Sequence, residues 1–250
     1  MEENASHHKD AHPARTFPVQ TYARVGGALF LLTMIGGGLG ELYIPSNIIV
    51  SADANATAHN VRDLNTLFRV GFIAYLLEAV ADVALSWIFY RLLRPVNQEL
   101  ALLAAFFGLV STSVFAAGQL FSFAPAMILG NAEFLKTFSP DQMNTLALVS
   151  FKLAGLSAGI FMVFYGIAAV IRGYLIIQSH FLPKFLGAVL LLAGFCFAVR
   201  NLLLVLSPKY ASDLLLAPMF IALLLLTLWL LIKGVDRAKW ESLSKYGEAE

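Results

Sequence analysis

Apolar positions along this chain fall into six long blocks separated by short polar joints. The blocks cover residues 22–43, 68–93, 100–129, 146–177, 185–206 and 214–233. About 20 mostly apolar residues cross the hydrocarbon of a bilayer as a helix, and each block meets that length. Backbone groups in lipid must find their partners within the segment, so each block is predicted as helix rather than strand. The predicted fold class is all-α: a polytopic membrane protein, a bundle of six transmembrane helices. The fifth block is the least regular, because Arg200 and Asn201 interrupt it.

The joints carry their own signals. Ser139-Pro140-Asp141-Gln142 reads as a capping box, with Ser139 as N-cap, Pro140 at the first helical position and Gln142 at the third. The fourth helix should therefore begin near Pro140 and run well past one membrane thickness, leaving Gln142 and Asn144 accessible to water. Ser51-Ala52-Asp53 looks like a similar start, which would make residues 54–67 a polar helix running into the second span. Arg94-Pro95 should end that span, since the residue before a proline is pushed out of the α region. Leu182-Pro183 should separate the fourth and fifth. No internal repeat stands out, so an inverted-repeat transporter architecture has no support.

Three regions follow. Residues 1–21 are polar and contain His7, His8, His12, Pro13 and Pro18. They lack the apolar stretch of a signal peptide and are expected to form a disordered cytoplasmic tail. Residues 22–233 form the six-helix transmembrane domain, and residues 234–250 a cytoplasmic C-terminal tail.

Composition agrees with lipid as the solvent. The chain is 59% hydrophobic and 13% charged, with mean hydropathy +0.75; soluble domains carry about 25% charged residues. The net charge of +1 and the lack of a basic stripe argue against nucleic acid as a partner. Charge also sets orientation, because Lys and Arg collect in cytoplasmic loops. With the N-terminus inside, one side holds Lys9, Arg15, Arg24, Arg91, Arg94, Arg172, Lys184, Lys233, Arg237, Lys239 and Lys245. The other holds Arg62, Arg69, Lys136 and Lys209. This excess places the protein in the cell membrane with both termini cytoplasmic. Trp229 and Trp240 flank the predicted inner boundary of the sixth helix, as an aromatic belt would.

Charges inside a spanning segment cost roughly 2.5–3.5 kcal/mol each on insertion scales, so they face the bundle interior or water. Here they are Glu41, Arg69, Glu78, Asp82, Lys152 and Arg200, joined by Gln119. One reading makes these seven residues a ligand-binding set in a polar cavity that opens outward and is lined by the first five helices. The other makes the charges ion pairs that fix helix register, with Glu41 and Arg69 at the interface. Glu78 and Asp82 lie four apart and share a helix face. By depth, Glu78 should pair with Arg200 or Lys152, leaving Asp82 protonated or linked to water.

Other features are weaker. Gly36-x-x-x-Gly40 in the first block reads as close helix packing, with a broken helix at a substrate site as the sharper alternative. His180 and His59 read as solvated histidines. Cys196 lies in an apolar run and reads as a small buried hydrophobe. Adjacent His7 and His8 make a poor metal site. No histidine lies within a span to bind haem, and no catalytic motif occurs. No cofactor is expected. The expected partners are membrane lipids and a small-molecule ligand, and no feature specifies an oligomeric state.

Three stretches carry a family resemblance: Arg91-Leu92-Leu93-Arg94-Pro95-Val96-Asn97, Phe134-Leu135-Lys136-Thr137-Phe138-Ser139-Pro140-Asp141-Gln142 and Phe181-Leu182-Pro183-Lys184-Phe185-Leu186-Gly187. Each resembles a pattern in the bacterial family called domain of unknown function 4386 (DUF4386), over roughly residues 22–233. The resemblance implies a multi-pass membrane protein and brings no established activity. On these grounds the expected function is a small-molecule binder or transporter. The alternatives are a structural or accessory membrane protein and, more weakly, an intramembrane enzyme using Glu78 and Asp82.

Overall fold

The first apolar block folds as three joined pieces: α1 (Val19–Gly37), a π-helical segment (Gly38–Tyr43) and α2 (Ile44–Ile48). The wide winding has a local cause. Pro45 has no N–H to donate to the Glu41 carbonyl, and its ring would crowd that carbonyl in a regular helix. Widening the turn before it relieves the clash. The Tyr43 carbonyl is then satisfied by Ser46 Oγ at 2.8 Å and Asn47 Nδ2 at 2.7 Å. This computed structural model describes residues 18–246, so most of the predicted N-terminal tail, with His7, His8 and His12, lies outside the described residues.

The polar joint after α2 holds α3 (Ala54–Asp63), capped by Asp53, whose Oδ1 accepts the Ala56 N–H at 2.9 Å. A break at Leu64 separates it from α4 (Asn65–Leu93). Asn97 caps α5 (Gln98–Ile128), and a 3₁₀ turn (Glu133–Thr137) leads to α6 (Pro140–Ser179). The capping box forms in both directions: Ser139 Oγ accepts the Gln142 N–H, and Gln142 Oε1 accepts the Ser139 N–H. α6 runs for 40 residues, roughly 60 Å at helical rise, about twice the hydrocarbon thickness. Then come α7 (Lys184–Leu206), 3₁₀ turns at Pro208–Tyr210 and Asp213–Leu216, α8 (Ala217–Ile232) and α9 (Arg237–Tyr246). No strand occurs among the described residues.

Among the described residues, six helices are long and apolar enough to cross a membrane. Each neighbours the next, and α8 returns to α1, so the spans close into a ring: α1, α4, α5, α6, α7, α8. Its outer surface is apolar, with Val80, Leu120, Leu156 and Val205 all strongly exposed. That surface suits lipid and not water. The main core fills the end of the ring that carries the termini, where Phe30, Phe89, Leu92, Leu175, Ile176, Leu190, Leu226 and Leu230 pack together.

α6 and α7 approach more closely than their sequence first indicates. A Cβ added at Gly173 would sit 2.7 Å from the Gly187 carbonyl, and one at Gly187 would sit 2.5 Å from the Gly173 carbonyl. Gly166 and Gly194 face one another in the same way, at 2.6 and 2.5 Å. Glycines seven apart on both helices make one seam, because seven residues bring a helix back to nearly the same face.

The terminal end is tied in three places. Gln20 Nε2 donates to the Lys233 carbonyl at 2.8 Å while its Oε1 accepts the Val235 N–H at 3.1 Å. Gly234 between them has φ +70°, and a Cβ there would collide with the Gln20 amide. Asp236 caps α9: the Lys239 N–H and ammonium hold its carboxyl below the usual carboxylate range. Trp240 Nε1 donates to the Leu92 carbonyl at 2.9 Å, so α9 docks on the end of α4.

One expectation about α6 changes. Gln142 is exposed, but Asn144 is buried beneath α3. It donates to Asn55 Oδ1 at 2.8 Å and accepts from Arg62 at 3.3 Å. The extension of α6 is real; α3 covers one side of it.

Candidate functional site

The half of the ring away from the termini encloses a cavity of about 560 Å³. Four of the seven predicted site residues line it: Glu41 from the π segment, Glu78 and Asp82 from α4, and Gln119 from α5. Glu41 is carried there by the wide turns before Pro45. Glu78 and Asp82 follow from their four-residue spacing on one face of α4. Apolar and aromatic side chains supply most of the remaining wall, among them Tyr75, Phe115, Phe161, Tyr165 and Phe197. At the far end Ile44, Ile48 and Phe68 belong to an apolar cluster with Val61 of α3.

The first-block glycines explain how α4 brings its polar side chains in. A Cβ at Gly40 would lie 3.1 Å from the Tyr75 ring, and one at Gly36 would lie 3.5 Å from Glu78 Cβ. Close packing is therefore what Gly36-x-x-x-Gly40 provides, and the groups it admits are Tyr75 and Glu78. The Tyr75 hydroxyl donates to the Gly40 carbonyl at 2.5 Å. The helix does not break there, but its winding changes at Gly38.

The other three predicted residues lie elsewhere. Arg69 is exposed on α4, bonded to Asn65 Oδ1 at 2.8 Å and placed over the Phe123 ring. Lys152 is exposed on α6 and has no ion pair among the described residues. Arg200 meets Asp213 at 2.5 Å and Asn201 at 3.2 Å. The expected pairing of Glu78 with Arg200 or Lys152 is thus overturned. The 3₁₀ turn before α8 folds over the end of α7 and offers Arg200 a carboxylate nearer water. The lining also differs from expectation, because α8 contributes Met219, Phe220 and Leu223 to the wall.

One buried cation near the cavity was counted above among the inner-side charges. Arg172, 5% exposed, sits below Asp82 and within electrostatic reach of it. Its Nη2 donates to Ser86 Oγ at 3.3 Å and its guanidinium stands 5.4 Å from the centre of the Phe89 ring. Gly108 makes the room: a Cβ there would lie 2.5 Å from Ser86 Oγ and 2.7 Å from Arg172 Nη2. Arg172 lies five residues inside the end of the predicted span, so its position along the chain was the available signal. Asp82 therefore faces a guanidinium on the core side, which the expected link to water did not include.

Glu41, Glu78 and Asp82 form no hydrogen bond or ion pair among the described residues. Glu78 Oε2 and Gln119 Oε1 are buried without a partner. No group of three His, Cys, Asp or Glu side chains is placed to hold a metal ion among the described residues. His59 is exposed and lies 2.9 Å from Asp63, and His180 is exposed at the end of α6. Cys196 is half-buried and free. The site can hold a molecule of moderate size against apolar walls and present acceptors to it. Clefts of about 300–1,000 Å³ lined this way are the usual form of small-molecule sites.

The chain matches no curated protein and no solved structure. A family model described as Domain of unknown function (DUF4386) matches residues 25–234, which include all six spans but for the first turns of α1. The chain belongs to the DUF4386 family.

Proposed function

We propose that the protein is a small-molecule binder or transporter whose binding site is this cavity, and that the cavity lies in the outer half of the membrane. The observation that carries the reading is three carboxyl groups around a 560 Å³ space, none in an ion pair among the described residues and only Asp82 with a cation, Arg172, in electrostatic reach. Charges kept only to fix helix register would neutralise one another, since an unpaired charge in lipid is expensive. Arg200 turns to Asp213 instead, and Lys152 faces outward. The orientation rests on the Lys and Arg excess on the terminal side, with both termini cytoplasmic.

Two thiol-labelling measurements test this, both in a Cys196→Ala background. Ser122→Cys lines the cavity and should react with methyl methanethiosulfonate in the purified protein at least tenfold faster than Leu120→Cys, which is 69% exposed on the apolar outer face. Equal rates at the two positions would remove the solute-accessible site. In intact cells, a membrane-impermeant maleimide should label exposed Thr145→Cys and should reach Ser242→Cys on α9 only after permeabilisation. The reverse pattern would invert the orientation.

A further inference from the structure

Resting on the reading of the cavity as a binding site, we infer that its occupant is an apolar organic cation with N–H donors: an ammonium on a hydrophobic body. The wall carries Glu41, Glu78 and Asp82, and no Lys or Arg among the described residues lines it. Arg172, the cation beneath the floor, is engaged by Ser86 and Phe89 and stands against three carboxylates. An occupant meets carboxyl groups and no basic side chain on this wall.

A second observation is independent of charge. Gln119 lines the cavity, is only 8% exposed, and has a side-chain oxygen with no donor; Glu78 Oε2 lacks one too. Buried acceptors without donors cost free energy, and a ligand that brings N–H groups recovers it. Turned toward an occupant by rotation of the terminal torsion, both oxygens can accept, and a ligand carrying only acceptors leaves them orphaned.

The walls select further. Tyr75, Phe115 and Phe161 line the cavity, and their ring faces attract cations when water is excluded. The carboxylates are spread along the cavity and do not converge as metal ligands. Glu78 and Asp82 stand one turn apart, about 6 Å along the axis. A bare divalent ion would leave most of the 560 Å³ empty, whereas an ammonium on an aryl or alkyl body fills it.

The test uses full-length protein with Ser122→Cys in the Cys196→Ala background, in lipid nanodiscs at pH 7. Three probes of nearly equal shape are compared: 4-phenylbutylammonium, 4-phenylbutan-1-ol and 4-phenylbutyrate. The readout is protection of the thiol from methyl methanethiosulfonate. The ammonium should protect at a concentration at least tenfold below that of either other probe. Its N-trimethyl analogue, which keeps the charge and loses the donors, should be about threefold to tenfold weaker. Glu78→Gln should weaken protection by the ammonium at least tenfold, and Gln119→Leu about fivefold. Equal protection by all three probes, better protection by the butyrate, or protection by none while the thiol stays reactive would each overturn the cation assignment and leave the cavity reading standing. A thiol that never reacts would overturn the cavity reading itself. The probe series on the unmutated wall decides the matter even where Glu78→Gln fails to fold.

Discussion

Replacing Gly173 or Gly187 with alanine is expected to destabilise the bundle by about 2–3 kcal/mol, the upper part of the range for overpacking a well-filled interior. The new methyl group would meet backbone and not a side chain that can rotate away: Leu191 N lies 2.6 Å from the Cβ position of Gly173, and Ile177 N lies 2.8 Å from that of Gly187. The two helices must separate along the whole seam to accept it. Gly155→Ala is the internal control, since nothing lies within 4 Å of a Cβ there. Its expected change is near zero or slightly stabilising, because alanine is the better helix former. Thermal unfolding in detergent, followed by tryptophan fluorescence, separates the two. If Gly173→Ala melts with Gly155→Ala, the seam is not close-packed.

Arg172→Met is expected to cost about 3 kcal/mol alone, and much of that loss should disappear when Asp82→Asn is added. Breaking one side of a buried charge arrangement costs about 3–5 kcal/mol, because the remaining charge is left uncompensated in a poorly polar interior. Removing both charges also removes that penalty. The coupling read from the double-mutant cycle should be at least 1 kcal/mol. Methionine keeps the length of the side chain beneath Phe89 and limits the packing loss. Strict additivity of the two single changes would mean that Asp82 and Arg172 do not sense one another, and the floor of the cavity would need another account.

The spans were legible because their signal is length, which lipid enforces. The helix starts near Asp53 and at Ser139 were legible because capping is local, and so were the ends of α4 and α6 before Pro95 and Pro183, although Arg94 itself stays in the α region. The site was legible only in part. Glu41, Glu78, Asp82 and Gln119 could be named, because a polar group in a span has few places to go. Its partners could not, since pairing depends on how helices are rotated about their own axes. Arg200 shows this: its depth matched Glu78, but the fold of residues 207–216 gave it Asp213. The role of Arg172 was obscured by its nearness to a boundary. The glycine seam was visible as a seven-residue spacing at 159, 166 and 173 and at 187 and 194, but it becomes a signal only when α6 and α7 are laid antiparallel. The π segment hid because its cause, Pro45, sits after it.

The tie between Gln20 and the 233–235 segment also fixes where the molecule can pivot. With α1 pinned to the end of α8, and α9 strapped to α4 by Trp240, the terminal end behaves as the fixed end of a set of levers. Ile48 lies 28 residues beyond Gln20, roughly 42 Å along the helix at 1.5 Å per residue. A tilt of about one degree at the tie moves that tip by roughly 0.7 Å over this length. Small rotations that leave the packed end undisturbed are thus magnified at the far end of the cavity, where Ile44, Ile48 and Phe68 meet. On the proposed reading of the cavity, a slight fanning of helices tied at the opposite end loosens this far cluster while the main core stays packed.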